Sequence, residues 1–243
     1  MKPSAAVAFA VREEAESFLR SLRNKRTFSL EGIAFTVGDL ETSRGKLRRL
    51  IVFRLGMGRL NADTSTRTLL AHFAPKFLIV CGFAGGVDPA LRTGDALVSE
   101  NVSDPELLAR AREGLGNKLG DITIHYGYLQ TVEKIINAPD EKSGLGRGTV
   151  VSAIDMETAA VVPVARDKKC PLLSIRVISD AADEPMPVNF NEFLDEHCRL
   201  QYGRLLLHLL LHPTLIPELI RFSGTIKKCS RRLGLVLINV LQE

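Results

Sequence analysis

Largely apolar runs alternate with amphipathic stretches along the chain. The runs at residues 5–11, 76–81 and 172–177 are typical of strands covered on both faces. Residues 12–22 carry apolar side chains on one helical face, and residues 62–73 follow a glycine-containing turn as a second predicted helix. Because strands alternate with helices, we expect a single α/β domain with a central mixed β-sheet flanked by helices.

Shorter patterns complete the predicted core. Further strands are predicted at residues 33–37, 47–55, 94–99, 122–129 and 150–154. Asp104 is suited to cap a short helix, since Pro105 would take its first position. Residues 138–148 are polar and rich in glycine, which predicts a surface loop.

The C-terminal part is helical in character. An apolar stripe over residues 190–211 predicts one helix, and a second helical segment follows Pro213. We therefore divide the chain into a main domain, 1–211, and a helical extension, 212–243. Residues 213–240 mix basic and apolar positions in a pattern that is able to lie on an anionic membrane surface, with packing on the domain or at a subunit interface as the alternative.

Composition narrows the class of protein. Apolar residues make up 45% and charged residues 25% of the 243, as in a globular domain, and the formal net charge of +4 gives no argument for a nucleic-acid partner. Four widely spaced cysteines and a start without a signal-peptide pattern lead us to expect a cytoplasmic protein, with peripheral contact to the inner membrane face left open. Neither metal-ligand spacing nor a nucleotide-binding glycine motif is present, so we expect no metal and no cofactor.

Polar side chains follow the apolar runs at three places. Ser179 and Asp180 end the run that begins at residue 172, Glu157 stands where a helix is expected to begin, and Glu14 lies in the first turn of the predicted helix 12–22. In open α/β sheets, ligands bind beyond the carboxyl ends of strands, so these side chains are candidates for a site. The alternative for Glu14 and Glu157 is structural, because the helix macrodipole alone favours acidic residues there.

Several separated segments resemble one known superfamily when they are taken together. They are residues 58–62, 81–89 with 94–95, 155–157 and 176–183. Their order, spacing and position at strand ends resemble those of the purine nucleoside phosphorylase and nucleosidase superfamily, with methylthioadenosine/S-adenosylhomocysteine nucleosidase as the nearest branch. The resemblance covers residues 5–100 and 148–195 and implies cleavage of the N-ribosyl bond of an adenine-type nucleoside.

The same resemblance assigns roles to particular residues. It makes Asp180 the general acid for the purine leaving group, oriented by Ser179. Glu157 would bind the ribose hydroxyls, and Met156 would pack against the sugar. Arg176 would serve the site or its carboxylates, because a buried arginine is costly unless it is paired.

The nucleophile stays open at this point. Glu14 matches the acidic residue that activates water in nucleosidases, and Phe83, Ala84 and Gly85 belong to the glycine-rich substrate loop. Phe83 stands where a small polar residue is usual and cannot bind phosphate. Arg12 and the basic residues 44–49 nevertheless remain candidate phosphate ligands.

Substrate identity is open as well. The segment between residues 99 and 155 is shorter than in the nucleosidases, and no adenine-clasping segment can be located in it. One alternative is the hopanoid-associated phosphorylase branch, which would release adenine from adenosylhopane, and another is a catalytically silent nucleoside-binding module. The expected partners are a small nucleoside, phosphate in the phosphorylase case, and further copies of the chain in a homo-oligomer.

Overall fold

The computed structural model describes residues 3–242, which contain ten strands and seven α-helices. The strands are β1 (Ala5–Phe9), β2 (Arg23–Leu30), β3 (Ile33–Glu41), β4 (Leu47–Arg54), β5 (Leu78–Gly86), β6 (Ala96–Ser99), β7 (Lys118–Leu119), β8 (Ile122–Thr131), β9 (Val151–Asp155) and β10 (Leu172–Asp180). The helices are α1 (Arg12–Ser21), α2 (Arg59–His72), α3 (Pro105–Leu115), α4 (Pro139–Gly146), α5 (Thr158–Asp167), α6 (Tyr202–Leu211) and α7 (Ile216–Gln242). Two short 3₁₀ helices, Phe190–Phe193 and Pro213–Leu215, flank α6.

The strands form one mixed sheet in the order β10-β6-β8-β9-β5-β1-β4-β3-β2, with β7 attached to β8. Because β10 also pairs with β5, strands β10, β6, β8, β9 and β5 close into a ring. β1 runs parallel to both β4 and β5, and β10 runs parallel to β5, so β1, β5 and β10 end at the same edge of the sheet. The predicted α/β class with a central mixed sheet and a helical C-terminus is confirmed.

Helices cover both faces of the sheet, which explains the continuous apolar strands. In β1, Val7 and Phe9 join an apolar core shared with α1, α3 and α7. Ala6 and Ala8, on the opposite face, join a second core shared with α2 and α5. Each face of this strand is therefore buried, as the uninterrupted apolar run predicts.

The two halves of α7 have different environments. From Cys229 to Leu241 the helix contributes one buried stripe to the first core and crosses α1 closely at Gly234, where an added Cβ would lie 3.0 Å from the Ser17 hydroxyl. The half before Cys229 has no buried residue.

The division of the chain at residue 211 stays a prediction. In residues 3–242 no single helix is long and apolar enough to cross a membrane, and only α6 and Pro213–Gln242 together, bent by 107°, meet that criterion.

Three local predictions are wrong. Residues 138–148 are not simply a surface loop, because they contain α4. The predicted helix 190–211 is interrupted: the Asp195 carboxylate accepts hydrogen bonds from the backbone of His197 and Arg199, at 2.9 and 2.8 Å, and this turn delays α6 until Tyr202. The glycine-rich stretch that begins at residue 82 continues β5 as far as Gly86 instead of leaving the sheet.

Candidate active site

A cavity of about 200 Å³ lies where β1, β5 and β10 end. Eight of the nine predicted site residues line it: Glu14, Phe83, Ala84, Gly85, Met156, Glu157, Ser179 and Asp180. Arg176 does not line the cavity but is buried within the sheet, with 1% of its surface exposed. The structure thus brings together residues that are up to about 170 positions apart in the chain.

Glu14 is fixed by backbone N–H groups of β5 and of the turn between β1 and α1. Its Oε2 atom accepts hydrogen bonds from the N–H groups of Ala10 and Val11 at 2.8 and 3.0 Å, and its Oε1 atom accepts one from Phe83 at 2.7 Å. Burial raises the pKa of Glu14, although these hydrogen bonds and the charge of Arg176 oppose that effect. The carboxyl group is therefore held rigidly at the cavity wall while its proton affinity is increased.

Gly82 makes room for two charged side chains beneath the cavity. An added Cβ at this position would collide with Oε1 of Glu14 and would lie 2.8 Å from Nη1 of Arg176. Any larger residue would therefore displace one of the two charges. The glycine is required for close approach of side chains to the strand, and not for its backbone conformation.

Arg176 is paired with Asp155, a residue that the sequence analysis did not assign to the site. Its Nη2 atom donates to Oδ2 of Asp155 and to the Thr158 hydroxyl, both at 2.6 Å. Asp155 also accepts the backbone N–H of Thr158 at 3.1 Å and so caps α5. The ion pair thereby ties β10 to the start of α5, directly beside Glu157.

Glu157 precedes α5 and reaches across to the start of α2. Its Oε1 atom accepts the backbone N–H of Gly58 at 2.9 Å, and its Oε2 atom accepts that of Met156 at 3.3 Å. Burial, followed by the nearby charge of Asp155, raises the pKa of Glu157 to about 8. The carboxyl group therefore holds a proton at neutral pH more readily than an exposed glutamate does.

Asp180 ends β10 beside Gly85. The Ser179 hydroxyl donates to its Oδ1 atom at 2.5 Å and also lies 3.3 Å from the Ala84 carbonyl oxygen. An added Cβ at Gly85 would lie 3.3 Å from Oδ2 of Asp180, so the small residue lets the carboxyl group sit against β5. Burial raises the pKa of Asp180.

Lys142 of α4 approaches Asp180 and was not predicted from the sequence. Its side chain is fully buried, and its Nζ atom lies 2.5 Å from Oδ2 of Asp180. The ammonium group also donates to the carbonyl oxygens of Ala181 and Glu184, at 2.7 and 3.0 Å. This positive charge lowers the pKa of Asp180, against the larger effect of burial. A lone lysine in a polar, glycine-rich segment carries no sequence signal for such a contact.

The segment after β8 also contributes to the cavity. Val132, Ile135 and Ile136 line it, together with Phe222 and Ile226 of α7. A residue distant in the sequence holds this segment in place. Asn191 accepts the N–H of Ile135 at 3.0 Å and donates to its carbonyl oxygen at 2.7 Å.

A larger cavity of about 790 Å³ adjoins the first and shares Ala10, Val11 and Met57 with it. Arg12, one of the candidate phosphate ligands, lines this larger cavity. The basic residues 44–49, all of which the structure describes, line neither of the two cavities.

Comparison with known proteins identifies a superfamily. A family model described as "Phosphorylase superfamily" matches residues 5–104 and 98–211 of the chain. The chain belongs to the phosphorylase superfamily. Among relatives of this superfamily member, the 5'-methylthioadenosine/S-adenosylhomocysteine nucleosidase of Geobacillus kaustophilus is 30% identical, with 79% of this chain and 90% of the relative covered. The protein of the same name from Bacillus subtilis is 28% identical, with 79% and 91% covered.

Solved structures share the fold of this phosphorylase-superfamily chain. The nucleosidase of the same name from Neisseria meningitidis, in complex with methylthio-immucillin-A, superimposes with a TM-score of 0.73 at 18% identity, covering 98% of each chain. Futalosine hydrolase of Helicobacter pylori gives a TM-score of 0.71 at 18% identity and covers 98% of this chain and 97% of its own.

Proposed function

We propose that this protein hydrolyses the N-ribosyl bond of an adenine nucleoside. The observation that carries the proposal is that Glu14, Glu157 and Asp180 line one small cavity, each buried and each with a raised pKa. Such clusters of perturbed carboxyl groups are typical of catalytic sites. Superfamily membership and the names of the nucleosidase relatives support the same reaction.

Asp180 acts on the leaving base. A purine departs as a poor anion, and a proton delivered to its ring nitrogen typically accelerates such a step about 10²- to 10⁴-fold. Burial raises the pKa of Asp180 and favours its protonated form, and Ser179 fixes the orientation of the carboxyl group. The ammonium group of Lys142 favours the ionised form of Asp180 and so lowers the proton affinity of this acid.

Glu157 acts on the ribose. Its carboxylate is suited to accept hydrogen bonds from two sugar hydroxyls and to stabilise the positive charge that grows on the sugar ring as the bond breaks. Met156 packs against the sugar face. Since hydroxyl donors favour the ionised carboxylate, binding of the ribose is expected to lower the raised pKa of Glu157.

Glu14 positions the attacking water. Three backbone hydrogen bonds hold its carboxyl group at the cavity wall. Two of them go to Oε2 and one to Oε1, so Oε1 retains a lone pair for a water molecule. A carboxylate at this position would repel a phosphate dianion. We therefore favour water over phosphate as the nucleophile, and Arg12 is not required for the reaction.

A lipid-linked adenine nucleoside is the second candidate substrate. The observation that favours it is the position of Phe222 and Ile226, which line the cavity and belong to α7, the helix that follows the exposed apolar helix α6 in the chain. Adenosylhopane, the substrate of the hopanoid-associated branch, has this chemistry. The expectations of a homo-oligomer in the cytoplasm stay predictions.

The reaction is tested by incubating the purified protein with adenosine, methylthioadenosine and S-adenosylhomocysteine, with and without phosphate, and measuring free adenine by chromatography. We expect adenine release that does not depend on phosphate. Release only with phosphate would contradict the role of Glu14. No release from any of the three would leave the lipid-linked nucleoside or a silent binding module.

The role of Asp180 is tested with Asp180→Asn, which keeps the size of the side chain but removes the acid. We expect turnover to fall about 10²- to 10⁴-fold while binding of a nucleoside analogue, measured by calorimetry, is retained. Asp183→Asn is the matched control, because Asp183 is exposed and lines neither cavity. Turnover of Asp180→Asn equal to that of the control would remove Asp180 from the mechanism.

A further inference from the structure

Helix α6 presents an exposed apolar face. Tyr202, Leu206 and Leu210 follow one another at intervals of four residues, and Leu207 and Leu211 lie beside them. Between 60% and 70% of the surface of each of these five side chains is exposed. No residue of α6 is buried, although six of its ten residues are leucine. An apolar patch of this kind marks an interaction surface.

The apolar surface continues around a bend into the first half of α7. Ile216 and Ile220 are 41% and 67% exposed and lie one helical turn apart. The axes of the two helical segments meet at 107°. We refer to residues 202–228, which comprise α6, the bend and the first half of α7, as the elbow. The main contacts of α6 are with the two flanking 3₁₀ helices, and they include an edge-to-face contact between His208 and Phe193, whose ring centroids are 5.2 Å apart. The leucine face stays exposed and is not covered by any part of residues 3–242.

Most of the net positive charge of the chain lies in the elbow. It contains four exposed basic side chains, Arg204, Arg221, Lys227 and Lys228, against one acidic side chain, Glu218. Its net charge is therefore +3, out of +4 for all 243 residues. Apolar side chains and cations thus share one surface.

We propose that the elbow docks the protein on an anionic lipid bilayer. The leucine face would enter the boundary between headgroups and acyl chains, as amphipathic interfacial helices do, and the basic side chains would contact lipid phosphates. A second copy of the chain fits this surface less well. A two-fold interface places the same patch against itself, which would bring the basic side chains of both copies together in an apolar contact.

The residues available for this membrane contact differ from those that the sequence pattern predicted. The sequence pattern pointed to 213–240, but the stripe from Cys229 to Leu241 is buried in the first core and is unavailable to a membrane. The available surface instead begins at Tyr202. Both ends of the elbow border the cavities, since Tyr202 lines the larger one and Phe222 and Ile226 line the smaller one. Docking would therefore hold the candidate site next to the lipid surface.

The test is flotation of the full-length protein with vesicles of phosphatidylcholine containing phosphatidylserine, and with vesicles of phosphatidylcholine alone. We expect the protein to float with the anionic vesicles and added salt to weaken the binding. Leu206→Ser with Leu210→Ser should reduce binding about a hundredfold or more, because two apolar side chains would no longer be buried in the lipid. Arg221→Gln with Lys227→Gln should reduce it about thirtyfold, because two contacts with anionic headgroups are lost.

Leu47→Ser with Leu235→Ser is the matched control, since both leucines are 54% exposed and lie outside the elbow. This variant should float like the wild type, and circular dichroism should show that all variants are folded. Absence of flotation, equal flotation of the Leu206/Leu210 variant, or equal binding to neutral vesicles would overturn the proposal. Dimerisation that is lost in the Leu206/Leu210 variant, without vesicle binding, would assign the face to a second copy. Neither leucine lines a cavity, so adenine release from soluble nucleosides should be unchanged, and the docking and the reaction can fail independently.

Discussion

Replacing Glu157 by glutamine is expected to change how the stability of the protein depends on pH. Burial and the neighbouring charge of Asp155 raise the pKa of Glu157 from 4.5 to about 8. The folded protein therefore keeps a proton that the unfolded chain has already released at neutral pH. Glutamine is close in size, retains an oxygen that is able to accept the Gly58 N–H, and does not titrate.

The sign and size of the effect follow from proton linkage. Between pH 4.5 and about 8 the folded state binds more protons than the unfolded state, so the free energy of unfolding falls as the pH rises. The contribution of Glu157 is fully present below pH 4.5 and is lost as the pH rises through about 8. At about 1.4 kcal/mol for each pH unit, it amounts to about 5 kcal/mol over the interval.

Urea denaturation of the wild type and Glu157→Gln at a series of pH values between 5 and 9, about the span of the titration, would measure this contribution. Other carboxyl groups titrate in both proteins and largely cancel in the difference. We expect the difference in stability to move in favour of the variant as the pH rises. Glu106→Gln, at an exposed carboxylate in the first turn of α3, is the control and should follow the wild type. Parallel curves for the wild type and Glu157→Gln would refute the reasoning.

Two other substitutions test the surroundings of the site. Lys142→Met removes the cation that lowers the pKa of Asp180, so that pKa should rise and the alkaline limb of the kcat/KM profile should move to higher pH; an unchanged profile would separate Lys142 from the acid. Gly82→Ala places a methyl group against the Glu14 carboxylate and should lower the free energy of unfolding by about 1–3 kcal/mol in urea. Gly144→Ala, where a Cβ would meet nothing within 4 Å, is the control and should show no such loss.

The buried strands could be predicted because their largely apolar sequences reflect the burial of both faces of each strand. β1, β5 and β10 are covered on both faces, and each therefore has an apolar run, which in β10 is interrupted by Ser174 and Arg176. β2 has no such apolar run. Seven of its eight residues are exposed, and the strand exists because its backbone pairs with β3. A pattern of hydrophobic positions cannot reveal a strand that is held by backbone hydrogen bonds at the edge of a sheet.

The same distinction applies to the candidate site. Glu14, Glu157 and Asp180 could be located because each follows a recognisable strand, and a general rule places strand ends beside ligands. Lys142 could not be located, since it becomes buried only through contacts with Asp180 and with carbonyl oxygens about 40 residues later in the chain. Ile135 was missed for a similar reason, because a side chain in a distant segment holds its backbone in place.

The site contains more buried carboxyl groups than buried cations, and this imbalance affects both its stability and its chemistry. Four buried carboxyl groups, Glu14, Asp155, Glu157 and Asp180, share two buried cations, Arg176 and Lys142.

Full ionisation would leave two unpaired negative charges in the protein interior, so the folded protein holds protons instead, and the pKa values of Glu14, Glu157 and Asp180 are raised. A retained proton is what a departing purine requires, and excess negative charge is what a sugar ring that becomes positive requires. The pH dependence of unfolding and the pH dependence of turnover should therefore respond together when the balance of charges is altered at Glu157.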